Sequence, residues 1–259
     1  MKKIMTAAAL SALMLAGGCG DEKTAQTVND TVGAAETEAL ITLPPLESEE
    51  EKTEAETSVT TEKPEENMSF EQILDETFFI GDSVTSGFGG YQKVKAENVI
   101  ATPNVSPSNV RDYSFAYDGK EYAALTILDF EQPMNVVVSM GLNDINTYSP
   151  ERFSELYMEY VEDAMKVCKD AQFYIFSVTP VSTECDKIKN ETIDGTNAVL
   201  KETVLNHPSE RIHYVDVNSV LKSENGYMNE DYSAGDGIHL CSSAYDLLLE
   251  KLEESMNAE

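Results

Sequence analysis

Phe78-Phe79-Ile80-Gly81-Asp82-Ser83-Val84-Thr85-Ser86-Gly87 is the stretch whose reading decides the fold. An apolar run of strand type stops at a Gly-Asp-Ser turn, and small polar residues follow, as at the mouth of a helix. A serine at such a junction holds its hydroxyl at the edge of a sheet, beside the free backbone N–H groups of a helix start. A nucleophile and an oxyanion hole can share one such turn. The same pattern also serves a plain strand–turn–helix connection in which the serine only caps the helix. The rest of the chain has to decide between the two.

Downstream, strand-like and helix-like segments alternate. Strands are expected near 77–80, 98–102, 135–140, 173–178 and 212–217. Helices are expected near 122–128, 150–169, 193–205 and 241–252. The run Val136-Val137-Val138 is of the buried parallel type. Ser149 is a plausible N-cap, with Pro150 opening the longest helix. The alternation predicts an α/β fold, a parallel sheet with helices on both faces. In such folds, sites lie beyond the carboxyl ends of strands. Polar punctuation falls there: Gly81-Asp82-Ser83, Gly141-Leu142-Asn143-Asp144 and Thr179-Pro180-Val181, with Asp236-Gly237-Ile238-His239 before the last helix.

Upstream the character changes. Residues 1–18 have a positive start, a short apolar run and small residues before Cys19, the layout of an export signal. The apolar run is too short to span a bilayer as a mature helix. Residues 19–67 are rich in Thr, Glu, Ala, Ser and Pro and keep no apolar periodicity. Such a segment cannot offset its ordering entropy by burial, and like charges keep it extended. It is expected to be a disordered acidic tether. The folded domain is expected over 68–259.

Composition narrows the partners. The 259 residues carry 47 Asp and Glu against 18 Lys and Arg, a net charge of -29. That acidity, with no basic patch, argues against nucleic acid and against direct adsorption to anionic lipid. The four cysteines form no CxxC pair and no zinc spacing with histidine, so neither a metal nor a cofactor is expected. Cys185 and Cys241 both fall in loops that can border a cleft, which leaves a disulfide between them open.

Serine catalysis needs a base and a carboxylate to orient it. Of the three histidines, His207 beside Pro208 reads as a surface residue and His213, opening a strand, as a structural or exposed one. His239 follows Asp236 by three residues across Gly237, a turn that lets the carboxylate meet Nδ1 while Nε2 points outward. Asn143, placed after a buried strand by Gly141, offers an amide to a developing oxyanion, or simply closes an Asx turn.

Together, Gly81-Asp82-Ser83, Gly141-x-Asn143-Asp144 and Asp236-x-x-His239, in that order, resemble the SGNH (GDSL-type) hydrolases over about residues 70–256. The resemblance implies a three-layer α/β/α sandwich around a five-stranded parallel sheet. It implies Ser83 as nucleophile, His239 as base, Asp236 as its orienter, and Asn143 with the N–H of Ser83 as oxyanion donors. Asp82 corresponds to a structural turn residue. The family places a glycine after the second strand as a third donor; here Ala101-Thr102-Pro103-Asn104-Val105-Ser106 has none. Asn104 is the expected substitute, because asparagine tolerates positive φ best. Leu15-Ala16-Gly17-Gly18-Cys19 resembles a bacterial lipobox, with Ala16 where leucine is usual. It implies lipidation of Cys19 and a domain held on the extracytoplasmic face of the membrane, with secretion as the alternative. The expected activity is hydrolysis of short-chain, for example acetyl, esters of a carbohydrate or cell-envelope substrate. The alternatives are an O-acetyltransferase with the same site and a non-catalytic binding module on the same scaffold.

Overall fold

A computed structural model describes residues 68–258. The expectations placed on residues 1–67, Cys19 among them, lie outside the described residues.

Among the described residues, five parallel strands form one sheet: β1 (Thr77–Gly81), β2 (Val99–Ala101), β5 (Asn135–Ser139), β6 (Gln172–Phe176) and β7 (Ile212–Val215), in the spatial order β2-β1-β5-β6-β7. Every residue of β1 and β5 is buried, as their unbroken apolar runs require of central strands covered on both faces. Register is set residue for residue, with Phe79 opposite Val137 and Ile80 opposite Val138. The chain leaves β1 outward to β2 and then returns past β1 to β5. The carboxyl ends of β1 and β5 therefore flank the point where strand order reverses, the crevice in which open α/β sheets bind ligands.

The helices are α1 (Phe70–Asp75), α2 (Ser86–Gly90), α3 (Ala124–Glu131), α4 (Pro150–Val167), α5 (Asn190–Leu205), α6 (Asn218–Leu221) and α7 (Ser242–Met256). None among the described residues is long and apolar enough to cross a membrane. Helix α4 begins as its sequence requires: the Ser149 hydroxyl accepts from Arg152 N at 3.3 Å, and Pro150 occupies the first turn. Phe153, Tyr157, Tyr160, Val161 and Ala164 form its buried face. The Tyr157 hydroxyl donates to the Val138 carbonyl at 2.8 Å, tying this helix to the central strand.

Helix α5 carries a different device. Asn190 and Asn197, both buried, lie two turns apart. The Asn197 amide accepts from Val178 N at 2.8 Å and donates to Val178 O at 2.9 Å. Asn190 does the same for Val181, at 3.0 and 2.8 Å. The loop after β6 thus finds partners for its buried backbone groups in two side chains, where a strand would use a neighbour.

Two expectations are corrected. A helix expected over 122–128 begins only at Ala124. Asp118-Gly119, at φ 47° and 74°, closes a two-residue hairpin between β3 (Ser114–Tyr117) and β4 (Lys120–Ala123), which claims Tyr122 and Ala123 for the strand. His207 is not a surface residue: its side chain is 16% exposed, near Glu162 at 3.8 Å, and its Nδ1 accepts from Ser209 N at 3.1 Å. His213 is structural as expected, stacked on Tyr174.

Candidate active site

The turn after β1 is held by a buried carboxylate. Asp82 Oδ1 accepts from Val84 N at 3.0 Å, and Oδ2 accepts from Gly141 N at 3.1 Å, in the turn after β5. Burial pushes the Asp82 carboxyl above its ordinary pKa, against the pull of its hydrogen bonds from Gly141, Val84 and Thr85. Gly141 sits at φ 152°, and a Cβ there would lie 2.7 Å from Val178 Cγ2, so no other residue serves. Two further bonds hold the turn: the Thr85 hydroxyl donates to Ser139 O, and the Tyr245 hydroxyl of α7 donates to Val84 O at 2.6 Å. Ser83 projects from this braced segment.

His239 arrives on the loop before α7. Asp236 Oδ1 accepts from Ile238 N at 3.0 Å and from His239 N at 2.8 Å, so the Asp-Gly-Ile-His segment closes on its own carboxylate. Asp236 Oδ2 lies 2.6 Å from His239 Nδ1, and His239 Nε2 lies 2.9 Å from Ser83 Oγ. Partial desolvation raises the Asp236 pKa, but the hydrogen bonds from the His239 ring and from the His239 and Ile238 N–H groups outweigh it and bring it down to about 2. The ionised carboxylate only accepts, so Nδ1 carries the ring proton and Nε2 accepts from the Ser83 hydroxyl. The His239 and Asp236 side chains are 42% and 52% exposed, so the ring lies within reach of water.

The sequence-predicted Asn143 and Asn104 line the same cavity as Ser83 and His239, a cleft of about 360 Å³ that also includes Leu142 and Ile188. Asn143 Nδ2 donates to Val105 O at 2.8 Å, and its amide has a second N–H. Asn104 adopts φ 67°, the left-handed conformation expected of it. Ser106 N is donated to Asn109 Oδ1 at 2.9 Å, which removes it from the alternatives for a third donor.

Three contacts that sequence reasoning missed brace this loop and the serine turn. Asn109 Nδ2 donates to Asn104 O at 3.0 Å, so one amide holds the backbone on both sides of Val105. Asp144 Oδ2 accepts from Ser108 N at 3.0 Å. Tyr245 braces the serine turn from a helix more than 150 residues away in sequence. Asn109, in Ser106-Pro107-Ser108-Asn109, carried a local signal as turn chemistry, and Asp144 stood in the Gly141-x-Asn143-Asp144 motif, whose reach to Ser108 the sequence did not disclose. Cys168, Cys185 and Cys241 are free, so the open question of a Cys185–Cys241 disulfide is answered in the negative. Among the described residues, no group of three or more His, Cys, Asp or Glu is arranged to hold a metal ion.

No curated protein matches the chain. Solved structures match its fold. They include a GDSL-like lipase from Bacteroides thetaiotaomicron (17% identity, TM-score 0.53, covering 71% of this chain and 89% of that one). A family 3 carbohydrate esterase from Talaromyces cellulolyticus matches at 12% identity and TM-score 0.50, covering 70% and 96%. An acetyl esterase variant solved with an acetate ion matches at 11% and 0.53, also covering 70% and 96%. The family model for GDSL-like lipases and acylhydrolases matches residues 79–247, from the strand before Ser83 to the helix after His239. By that match, over well more than half its length, the chain belongs to the GDSL-like lipase/acylhydrolase family and is an ester-bond hydrolase.

Proposed function

We propose that the chain is a serine esterase that removes short acyl groups, acetyl foremost, from a carbohydrate or cell-envelope ester. The single observation that carries the reading is the unbroken contact from Asp236 through His239 to Ser83, at 2.6 and 2.9 Å. Ser83 Oγ attacks the ester carbonyl as His239 Nε2 takes the hydroxyl proton. The carbonyl oxygen becomes an oxyanion, received by the N–H groups of Ser83 and Asn104 and the Asn143 amide. Collapse breaks the bond to the alcohol, and the departing alkoxide takes the proton from His239. Water then attacks the acyl-enzyme, gives its proton to His239, and releases the carboxylic acid as the proton returns to Ser83 Oγ.

A carbohydrate esterase and an acetyl esterase among the fold's neighbours support the substrate class. Residues 1–19 support a lipid anchor at Cys19, and 20–67 a tether that carries the domain away from the membrane on its outer face. The test compares wild type with Ser83→Ala on p-nitrophenyl acetate and with a fluorophosphonate probe. Hydrolysis and labelling at Ser83 that vanish in the variant are expected. Equal rates in the two proteins, with no adduct on Ser83, overturn the proposal.

A further inference from the structure

A second cavity of about 500 Å³ adjoins the cleft, lined by Cys185, Asp186, Ile188, Lys189, Glu191 and Tyr227. Ile188 is common to both cavities, which makes them neighbours across one side chain. Each falls in the size range of small-molecule sites, about 300–1,000 Å³. We infer that this second cavity is a subsite for a neutral sugar ring belonging to the alcohol half of the ester.

Three observations argue for it. The first is position. The leaving alkoxide takes its proton from His239 Nε2, so the alcohol half lies on the His239 side of the cleft. The loop that walls the second cavity packs there: Ser182 N donates to Gly237 O at 3.0 Å, two residues from His239.

The second is the platform. Tyr227 is an exposed aromatic, 39% accessible, on a backbone anchored at both its N–H and its carbonyl. Its N–H is donated to Asn225 Oδ1 at 3.0 Å and its carbonyl accepts from Ser223 N at 2.9 Å. The next residue, Met228, is buried and donates its N–H to Val181 O at 3.0 Å, on the same loop. An aromatic face offers large contact area with few rotatable bonds to order. The C–H face of a pyranose suits such a ring.

The third is the chemistry of the rim. Asp186, Lys189 and Glu191 supply acceptors and donors for hydroxyl groups. A hydrocarbon chain would desolvate these charges without replacing their hydrogen bonds, which disfavours a long acyl group. Two carboxylates against one ammonium, on a chain of net charge -29, disfavour an anionic glycan.

The inference rests on the esterase reading, and its test separates the two. Relative rates on mono-O-acetylated xylotetraose and on p-nitrophenyl acetate are measured for wild type, Tyr227→Ala and Tyr227→Phe. Phe130→Ala, an exposed aromatic on α3, is the control. Tyr227→Ala lowers the ratio of kcat/KM values, sugar ester over aryl ester, about tenfold, chiefly through KM, while Tyr227→Phe and Phe130→Ala keep the wild-type ratio within about twofold. An acetylated galacturonan oligomer is turned over less well than the neutral sugar. An unchanged ratio in Tyr227→Ala, or a preference for the anionic oligomer, overturns the subsite and leaves the esterase standing. If wild type hydrolyses neither ester, the esterase reading fails. The subsite is then judged by titrating unacetylated xylotetraose into wild type and Tyr227→Ala: binding lost in the variant supports it, and no binding to wild type overturns it.

Discussion

The side-chain amide of Asn109 grips the carbonyl of Asn104, five residues upstream, at 3.0 Å. The same amide accepts from Ser106 N, so Asn104 is pinned in a left-handed conformation that asparagine tolerates and most residues do not. Asn109→Ala is therefore expected to lower kcat about tenfold to a hundredfold with KM little changed, because the Asn104 N–H, the proposed third oxyanion donor, drifts while the substrate still binds. Asn104→Gly keeps the backbone conformation open and is expected to stay within about threefold of wild type. Steady-state kinetics on an activated acetate ester, with affinity for a phosphonate analogue, distinguish the two.

Asp236→Asn leaves a neutral group that no longer fixes the ring proton on His239 Nδ1. A loss of about three to four orders of magnitude in kcat is expected, read by the same assay. Its effect on stability depends on pH. The folded-state pKa of about 2 lies below the ordinary 3.8, so the stabilisation is complete above pH 3.8 and fades as pH falls through about 2. The stability gap between wild type and Asp236→Asn should close as pH falls from about 3.8 through about 2. Solvent around the exposed pair keeps that gap small. Urea denaturation at a series of pH values measures it; a gap that widens on acidification contradicts the assignment.

At Gly87 a Cβ would lie 1.9 Å from the Tyr245 hydroxyl and 2.2 Å from its ring carbon Cζ. Gly87→Ala should destabilise the domain by about 1–3 kcal/mol or more through overpacking, and Tyr245→Phe should not rescue it, because the ring itself is in the way. Alone, Tyr245→Phe removes this donor from the buried Val84 carbonyl, which keeps the Gly87 N–H at 3.1 Å, for about 0.5–1.5 kcal/mol. Thermal unfolding of the two single variants and the double variant checks both statements.

The thiols should react in a fixed order. Cys241 is partly exposed at the start of α7. Desolvation raises its pKa, but hydrogen bonds from Ser243 and from the backbone N–H groups of Ala244, Ser243 and Cys241 bring it below its ordinary value. Burial and the nearby Asp129 push Cys168 up to about 11. Iodoacetamide at neutral pH should label Cys241 first and Cys168 only on unfolding, because the thiolate is the nucleophile. Peptide mapping of timed samples reads the order, and early labelling of Cys168 would contradict it.

Much of this was legible in the chain because local chemistry and global fold agree at the central elements. Val136-Val137-Val138 reads as a strand buried on both faces, Ser149-Pro150 reads as a helix start, and the structure bears out both. Asp236 and His239 are three residues apart, so one turn determines their contact. What the residues did not disclose depends on distant partners. Tyr245 has ordinary helix spacing, and nothing local shows that its hydroxyl reaches Val84. Asn190 and Asn197 look like neutral helix residues until the loop they hold is in view. The hairpin at Asp118-Gly119 did carry its turn signal, yet Tyr122 to Leu128 has spacing compatible with a helix as well as a strand, and the boundary fell to the turn.

The two asparagines of α5 have a consequence for how such an enzyme diversifies. They secure Val178 and Val181, the root of the loop, while Asn146 Nδ2 donates to Lys187 O at 3.0 Å near its far end. Between these anchors, Ser182 N stays bonded to Gly237 O at 3.0 Å while the exposed side chains of Thr183, Glu184 and Asp186 can change with little strain passed to the strand ends that carry the serine and its neighbours. Selection can then retune which alcohol is accepted while leaving the chemistry untouched, a division of labour written into the eight residues from Asn190 to Asn197.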